Sequence, residues 1–285
     1  MTLQEAGFFL LKKMRAIYPE GEANQIADRI MENLTGSKKT ERMLYKNEVI
    51  SPKEEQHLQE SIKRLLAHEP VQYVLNEAWF CGLRFYVDRH VLIPRPETEE
   101  LVEWIIDGCK FPIDHLSILD VGTGSGCIAV SLKRRLGKAD VTACDIEENA
   151  LAIARKNADK LGAEVHFTAI DFLNTGQTAT LPAFDIIVSN PPYVTMKEKK
   201  QMQANVLEHE PHTALFVPDE DPLTFYRALA LFGKNHLEPN GFIYAEINEQ
   251  LADETSNLMR HQGYMTEIKK DMQGKDRMIR AKREP

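Results

Sequence analysis

The chain has 285 residues, 43% of them hydrophobic, and a formal net charge of −8 from 35 Lys and Arg against 43 Asp and Glu. That apolar content can build a substantial core, and the length leaves room for two domains; the acidic balance disfavours broad contact with nucleic-acid phosphates and suits a partner carrying positive charge. No apolar run reaches the roughly 18 residues of a membrane span, and the N-terminal stretch mixes acidic and basic residues where a secretion signal needs an apolar core, so a soluble, cytoplasmic protein without a membrane partner is expected; a monomer is also expected, on no sequence feature of its own.

Residues 1–75 read as a small helical domain. Ile26, Ile30, Met31 and Leu34 recur at helical spacing, as do Leu58, Ile62, Leu65 and Leu66. Ser51, Pro52 and Glu54 form a capping signature before the second stripe, and Pro70 marks its end. Residues 76–95 change period: Leu83, Phe85 and Val87 alternate, Asp88-Arg89-His90 can turn, and Val91 and Ile93 alternate again. A β-hairpin linking two domains is expected there.

Residues 96–285 form the second predicted domain. From Ile118 onward, short apolar strands alternate with helical stretches: "LSILDVG", "DVTACDI", "EVHFTAID", "FDIIVSN" and "GFIYAEI" are the strands. Such alternation predicts an α/β fold, a parallel sheet covered on both faces. The last two strands, "YMTEIKKD" and "DRMIRAKR", are joined by a link too short for a parallel crossover, so one of them must run antiparallel in an edge hairpin. Cys81, Cys109, Cys127 and Cys144 lie far apart without a CxxC pair and are expected as reduced thiols. His209 and His212 flank Glu210 without a third ligand cluster, so no metal is expected.

Two motifs carry chemistry. In "ILDVGTGSGCIAV" a strand runs into a turn whose Gly122, Gly124 and Gly126 allow tight curvature and close approach of a ligand. Cys127 stands where a dinucleotide fingerprint wants its third glycine, against a nicotinamide cofactor. Asp145 ends the next strand, where a carboxylate can accept from both hydroxyls of a ribose, and Asp171-Phe172 follow the third. Strand ends of an open sheet converge on one ligand, so these loops point to one nucleoside-like molecule.

The second motif is Asn190-Pro191-Pro192-Tyr193, after the fourth strand. The prolines stiffen the backbone and remove two N–H groups, leaving the Asn190 and Pro191 carbonyls and the Asn190 side-chain oxygen as a cluster of acceptors. Such a cluster suits a planar NH2 group, with Tyr193 able to pack on it. Two accepted hydrogen bonds would aim the nitrogen lone pair and stabilise charge developing on it. An adenine, another base's exocyclic amine or a glutamine amide would all fit.

The D-x-G-x-G-x-G spacing and the antiparallel closing hairpin resemble the class I S-adenosylmethionine-dependent methyltransferases, with a Rossmann-like, mostly parallel sheet of seven strands. The resemblance implies that Gly122, Thr123, Gly124, Ser125 and Gly126 line the methionine and ribose of S-adenosyl-L-methionine, Asp145 the ribose, and Phe172 the adenine, with Asn190 close by and S-adenosyl-L-homocysteine as product. With "IPRPETE" at 93–99, "NPPY" and "EHEPHTALF" at 208–216, the chain resembles the PrmC/HemK family, which methylates the glutamine of a Gly-Gly-Gln loop in class I peptide-chain release factors. It implies that Asn190, Pro191, Pro192 and Tyr193 clasp that amide while the helical domain holds the release factor, with no nucleic-acid partner. The alternatives are an adenine N6-methyltransferase acting on nucleic acid and a non-catalytic cofactor-binding module. Within "IPRPETE", Thr98 or a neighbour could cap the following helix, and Arg95 or Glu97 could face the cofactor. Asn248 stands where the family shows a glycine, so an altered loop is expected there.

Overall fold

Helical periodicity in the first residues produces α1 (Leu3–Met14), α2 (Glu20–Thr35), α3 (Lys39–Leu44), α4 (Pro52–Leu66) and α5 (Val71–Leu75). The computed structural model describes residues 1–109, 116–202 and 204–283. These helices lie in one unit, Met1–Glu77 with Gln203–His209; Ala78–Met202 with Glu210–Pro285 form another. Thr2 and Ser51 each close a reciprocal capping box, with Glu5 and Glu54. Leu10 and Met14 from α1, Ile26, Ile30 and Met31 from α2, and Leu58, Ile62 and Leu65 from α4 make the core of this unit. Leu66 departs from the expected stripe and is 40% exposed, because it lies about 100° around the helix from Leu65. α4 also ends before Pro70, which instead precedes α5, while Arg64 bonds Glu69 at 2.7 and 2.6 Å across the turn.

The second unit opens with a hairpin, β1 (Ala78–Phe80) and β2 (Leu83–Phe85), in the register Ala78↔Phe85. Its turn is Cys81-Gly82, both at positive φ (48° and 72°), the two-residue loop whose twist matches paired strands. This corrects the expected turn at Asp88-Arg89-His90. There Asp88 Oδ1 accepts from the His90 backbone N–H at 3.0 Å in a local turn of its own. Val91 and Ile93 are buried without pairing as a strand, and the chain enters α6 (Pro96–Gly108).

The main sheet then builds through β3 (Ser117–Val121), α7 (Cys127–Arg135), β4 (Asp140–Asp145), α8 (Glu148–Leu161), β5 (His166–Ala169), α9 (Thr175–Thr178) and β6 (Phe184–Ser189). The excursion after β6 holds β7 (Val194–Thr195), α10 (Ala204–His209) and β8 (Phe216–Val217), with β7 and β8 paired in parallel. The chain closes with α11 (Thr224–His236), β9 (Leu237–Glu246), α12 (Ala252–His261), β10 (Tyr264–Lys270) and β11 (Asp276–Arg283). The seven-stranded order is β10-β11-β9-β6-β3-β4-β5, and β11 is the strand antiparallel to both neighbours. Leu101, Ile105 and Leu132 pack on one face of the sheet, and Tyr226, Leu229 and Met259 on the other. No helix among the described residues is long and apolar enough to cross a membrane.

Candidate active site

The carboxyl ends of β3, β4 and β6, with the turn after β5, open into a cavity of about 460 Å³, within the ~300–1,000 Å³ range of small-ligand sites. Gly122, Thr123, Gly124 and Ser125 line it, as do Asp145, Phe172, Asn190, Pro191 and Pro192. The turn is pinned from two sides. Gly122 and Thr123 N–H both donate to the Cys144 carbonyl at 2.9 and 3.0 Å, and Gly124 N–H donates to Asp145 Oδ2 at 2.9 Å.

The three glycines do different work. Gly122 and Gly124 sit at φ 70° and 54°, and a Cβ added to either would meet no atom within 4 Å. Their missing side chains leave open space in the cradle. Gly126, at φ 79°, does not line the cavity; a Cβ there would meet Ala154 Cβ at 3.1 Å and Cα at 3.2 Å, so it permits close packing of the turn on α8. From α8 as well, Asn157 donates to the Ser125 carbonyl and the Tyr86 carbonyl, each at 2.9 Å, tying the post-hairpin segment to the loop.

Asp120 underlies this turn, fully buried. Its Oδ2 accepts from Thr123 Oγ1 at 2.7 Å and from Ala129 N–H at 3.1 Å, whereas Oδ1 has no hydrogen-bond partner. Burial pushes its carboxyl up to about 7. Asp145 is also raised, first by burial, against hydrogen bonds from the Glu147 and Gly124 N–H groups. Each Asp145 oxygen keeps accepting capacity beyond those bonds. Phe172 is buried edge-on against Phe232, ring centroids 5.2 Å apart. Ile146 and Leu173, 58% and 44% exposed, add apolar walls that strand patterning did not single out. The available signal was an apolar residue placed directly after each strand-end motif.

After β6, the Asn190–Pro191 and Pro191–Pro192 bonds are both trans. Among the described residues, neither the Asn190 nor the Pro191 carbonyl accepts a hydrogen bond. Asn190 Nδ2 donates to Thr98 Oγ1 at 3.0 Å, and Thr98 Oγ1 donates to Glu246 Oε2 at 2.6 Å. Tyr193 lines not the main cavity but a smaller one of about 60 Å³, bordered also by Asn190, Pro191, Arg95 and Glu246. Its hydroxyl donates to Glu246 Oε1 at 2.8 Å, and burial raises it well above the usual phenol value. Burial likewise raises Glu246, opposed by the bonds from Thr98 and Tyr193 and by the charge of Arg277.

The "IPRPETE" residues take roles that local reasoning assigned differently. Thr98 does not cap α6: Arg95 occupies that position without a side-chain cap, and Thr98 lies one turn in, 2% exposed, between Asn190 and Glu246. Arg95 reaches the cavity and pairs with Glu210 at 2.6 Å; the buried Glu210 also accepts from Ile93 N–H at 3.2 Å. Glu97 instead accepts from Gln273 at 3.4 Å and does not line the cavity. Of the two histidines, His209 contacts the Ala67 carbonyl at 2.9 Å and His212 meets the Phe216 ring edge-on. Among the described residues no group of three or more His, Cys, Asp or Glu is placed to hold a metal ion. Asn248, at φ −68°, adopts backbone open to any residue and donates to the Tyr193 carbonyl at 3.2 Å. The four cysteines are free thiols.

Residues 10–75 match the family described as "PrmC N-terminal domain", and residues 109–215 match "Methyltransferase small domain". A "Release factor glutamine methyltransferase" from Bacteroides thetaiotaomicron is 44% identical over 96% of this chain and 98% of its own length. One of the same description from Flavobacterium psychrophilum is 49% identical over 76% of this chain and 77% of its own. Among solved structures, a Pyrococcus furiosus methyltransferase has a TM-score of 0.52 at 18% identity, covering 78% of this chain and 98% of that one. The hMettl16 catalytic domain has a TM-score of 0.55 at 15% identity, covering 81% of each chain; both likenesses concern the fold. On the whole-length relationship at 44% identity, the chain belongs to the release factor glutamine methyltransferase family of enzymes.

Proposed function

We propose that the chain transfers a methyl group from S-adenosyl-L-methionine to the side-chain amide nitrogen (N5) of the Gly-Gly-Gln glutamine in class I peptide-chain release factors. The observation that carries it is the acceptor set after β6: Asn190 turns its NH2 into Thr98, leaving Oδ1 and the unengaged Asn190 and Pro191 carbonyls.

For the cofactor, the cradle meets an independent requirement: Cβ atoms at Gly122 and Gly124 would project into open space that a ligand can fill. Residues Gly122 to Ser125 of the turn would receive the methionine and ribose, the Asp145 carboxylate the ribose hydroxyls, and Phe172 the adenine. When bound, S-adenosyl-L-methionine supplies an electrophilic methyl group on a positively charged sulfur. The protein's own part is orientation. Asn190 Oδ1 and the two carbonyls accept from the amide protons, which directs the nitrogen lone pair and stabilises positive charge growing on nitrogen. The fixed acceptors need no reorganisation during transfer, and the surplus proton can leave once the N–C bond exists. Tyr193, neutral and tethered to Glu246, stiffens the far end of the motif. The helical unit Met1–Glu77 would hold the body of the release factor, with the enzyme acting as a monomer.

Incubation with labelled S-adenosyl-L-methionine tests this directly. Label should appear on a release factor and vanish when its Gly-Gly-Gln glutamine is changed; label on duplex DNA alone sinks the reading. Asn190→Ala should lower kcat by roughly a hundredfold or more, in the range seen when one preorganised polar contact is lost, while leaving cofactor affinity largely intact.

A further inference from the structure

We propose that Glu246, acting through Thr98, is a positioning residue that sets which face of the Asn190 amide meets the substrate. The inference rests on the amide-methylation reading above and adds the device that makes Asn190 an acceptor.

The geometry crosses the fold. Glu246 ends β9, Asn190 follows β6, and the two strands pair in parallel with Ser189 opposite Ala245; Thr98 comes from α6. Both Glu246 and Thr98 are 2% exposed, so bulk water does not compete for these bonds. The two Glu246 oxygens accept from the hydroxyls of Thr98 and Tyr193, at 2.6 and 2.8 Å, so each hydroxyl proton is directed at the carboxyl group. Thr98 has one hydroxyl proton, and with it directed at Glu246 its oxygen can only accept. The Asn190 atom 3.0 Å from that oxygen must then be the NH2, and Oδ1 is left for the substrate.

The alternative rotamer shows what this prevents. An Asn190 flipped about its last torsion would offer NH2 to a substrate NH2, donor against donor, and turn an attractive contact into a repulsive one. An asparagine alone does not choose between the two states. The proton direction imposed by Glu246 makes the choice, and the same carboxylate holds Tyr193, so one buried group fixes both ends of Asn190–Tyr193.

The test measures kcat, KM for a release factor and calorimetric cofactor affinity for the full chain, with thermal melting to show that each variant is folded. Thr98→Val keeps the shape and removes the hydroxyl; it should lower kcat by roughly ten- to a hundredfold with cofactor affinity changed by less than about threefold. Thr98→Ser keeps the hydroxyl and should recover most of that loss. A packing role would give the reverse order, with valine tolerated and serine impaired. Glu246→Gln, whose amide can itself donate and free the Thr98 proton to turn, should lower kcat in the same direction and gives the comparison independently of position 98. If Thr98→Val turns over at the wild-type rate, or serine is as impaired as valine, the positioning role is wrong. If wild type methylates the release factor and Asn190→Ala does not, such a result overturns this inference alone; a wild type inactive on that glutamine overturns the reading beneath it.

Discussion

Alanine substituted singly at Gly122, Gly124 and Gly126 should separate the two uses of glycine in the turn after β3. All three residues have positive φ, between 54° and 79°, so each alanine adopts a backbone that costs an L-residue roughly 1–2 kcal/mol. At Gly122 and Gly124 nothing stands within 4 Å of the new methyl, and the stability loss should stop at that strain. At Gly126 the methyl meets Ala154 at 3.1 and 3.2 Å, with a backbone atom among the contacts, which adds about 1–3 kcal/mol of overpacking. Gly126→Ala should therefore lose about 2–5 kcal/mol. Ligand binding should run the other way: Gly122→Ala and Gly124→Ala put a methyl into the cavity and should weaken S-adenosyl-L-methionine binding by an order of magnitude or more, about 1.4 kcal/mol for each factor of ten. Urea unfolding followed by circular dichroism gives the first quantity and isothermal calorimetry the second. Equal stability losses at all three positions, or cofactor affinity untouched by Gly124→Ala, would refute the division.

Two further substitutions probe buried charge. Asp120 is fully buried with one unpartnered oxygen, and its carboxyl rises from 3.8 to about 7. Because the folded value lies above the unfolded one, the native state binds the extra proton between about pH 4 and 7, and stability falls as pH rises through that window. Asp120→Asn removes the titration, so its stability relative to wild type should grow from pH 4 to 7, by up to roughly 4 kcal/mol at about 1.4 per unit; a difference that stays flat across that range contradicts the assignment. Glu210→Ala should destabilise by about 2–4 kcal/mol, since it orphans the Ile93 N–H and strips Arg95 of a partner at 2.6 Å. Denaturant titration of this variant measures the loss, and one below about 0.5 kcal/mol would show that the pair contributes little.

Sequence was informative wherever a structure depends on neighbours along the chain. Helical stripes around Ile26–Met31 and Leu58–Leu65, the Ser51 capping box and the strand-turn-helix around Gly122 are local patterns, and the structure contains them. The closing hairpin followed from link length alone, although only the structure shows β11 inserted between β9 and β10. The first hairpin was misplaced because Asp-Arg-His and Cys-Gly are both credible turns. The choice fell to Cys81-Gly82, since pairing Ala78–Phe80 with Leu83–Phe85 buries Phe80 and Phe85 against each other, ring centroids 6.1 Å apart.

What escaped the sequence shares one property, distance along the chain. Thr98 read as a cap because three acidic residues surround it at a helix start; its partners are 92 and 148 positions away. Glu210, set between two histidines, carried no assigned role in the sequence; its bonds reach back 115 and 117 positions to Arg95 and Ile93 and fix the turn before α6. The same division runs through the proposed chemistry. Two prolines can be read directly as a loss of donors, so the acceptor character of Asn190–Tyr193 was legible in four letters. Which way the asparagine amide points was not, because that depends on a proton direction set by a carboxylate on another strand. In the proposed reaction, a motif that looks self-sufficient in sequence would supply the acceptors, and residues from α6 and β9 would determine that they face the substrate as acceptors.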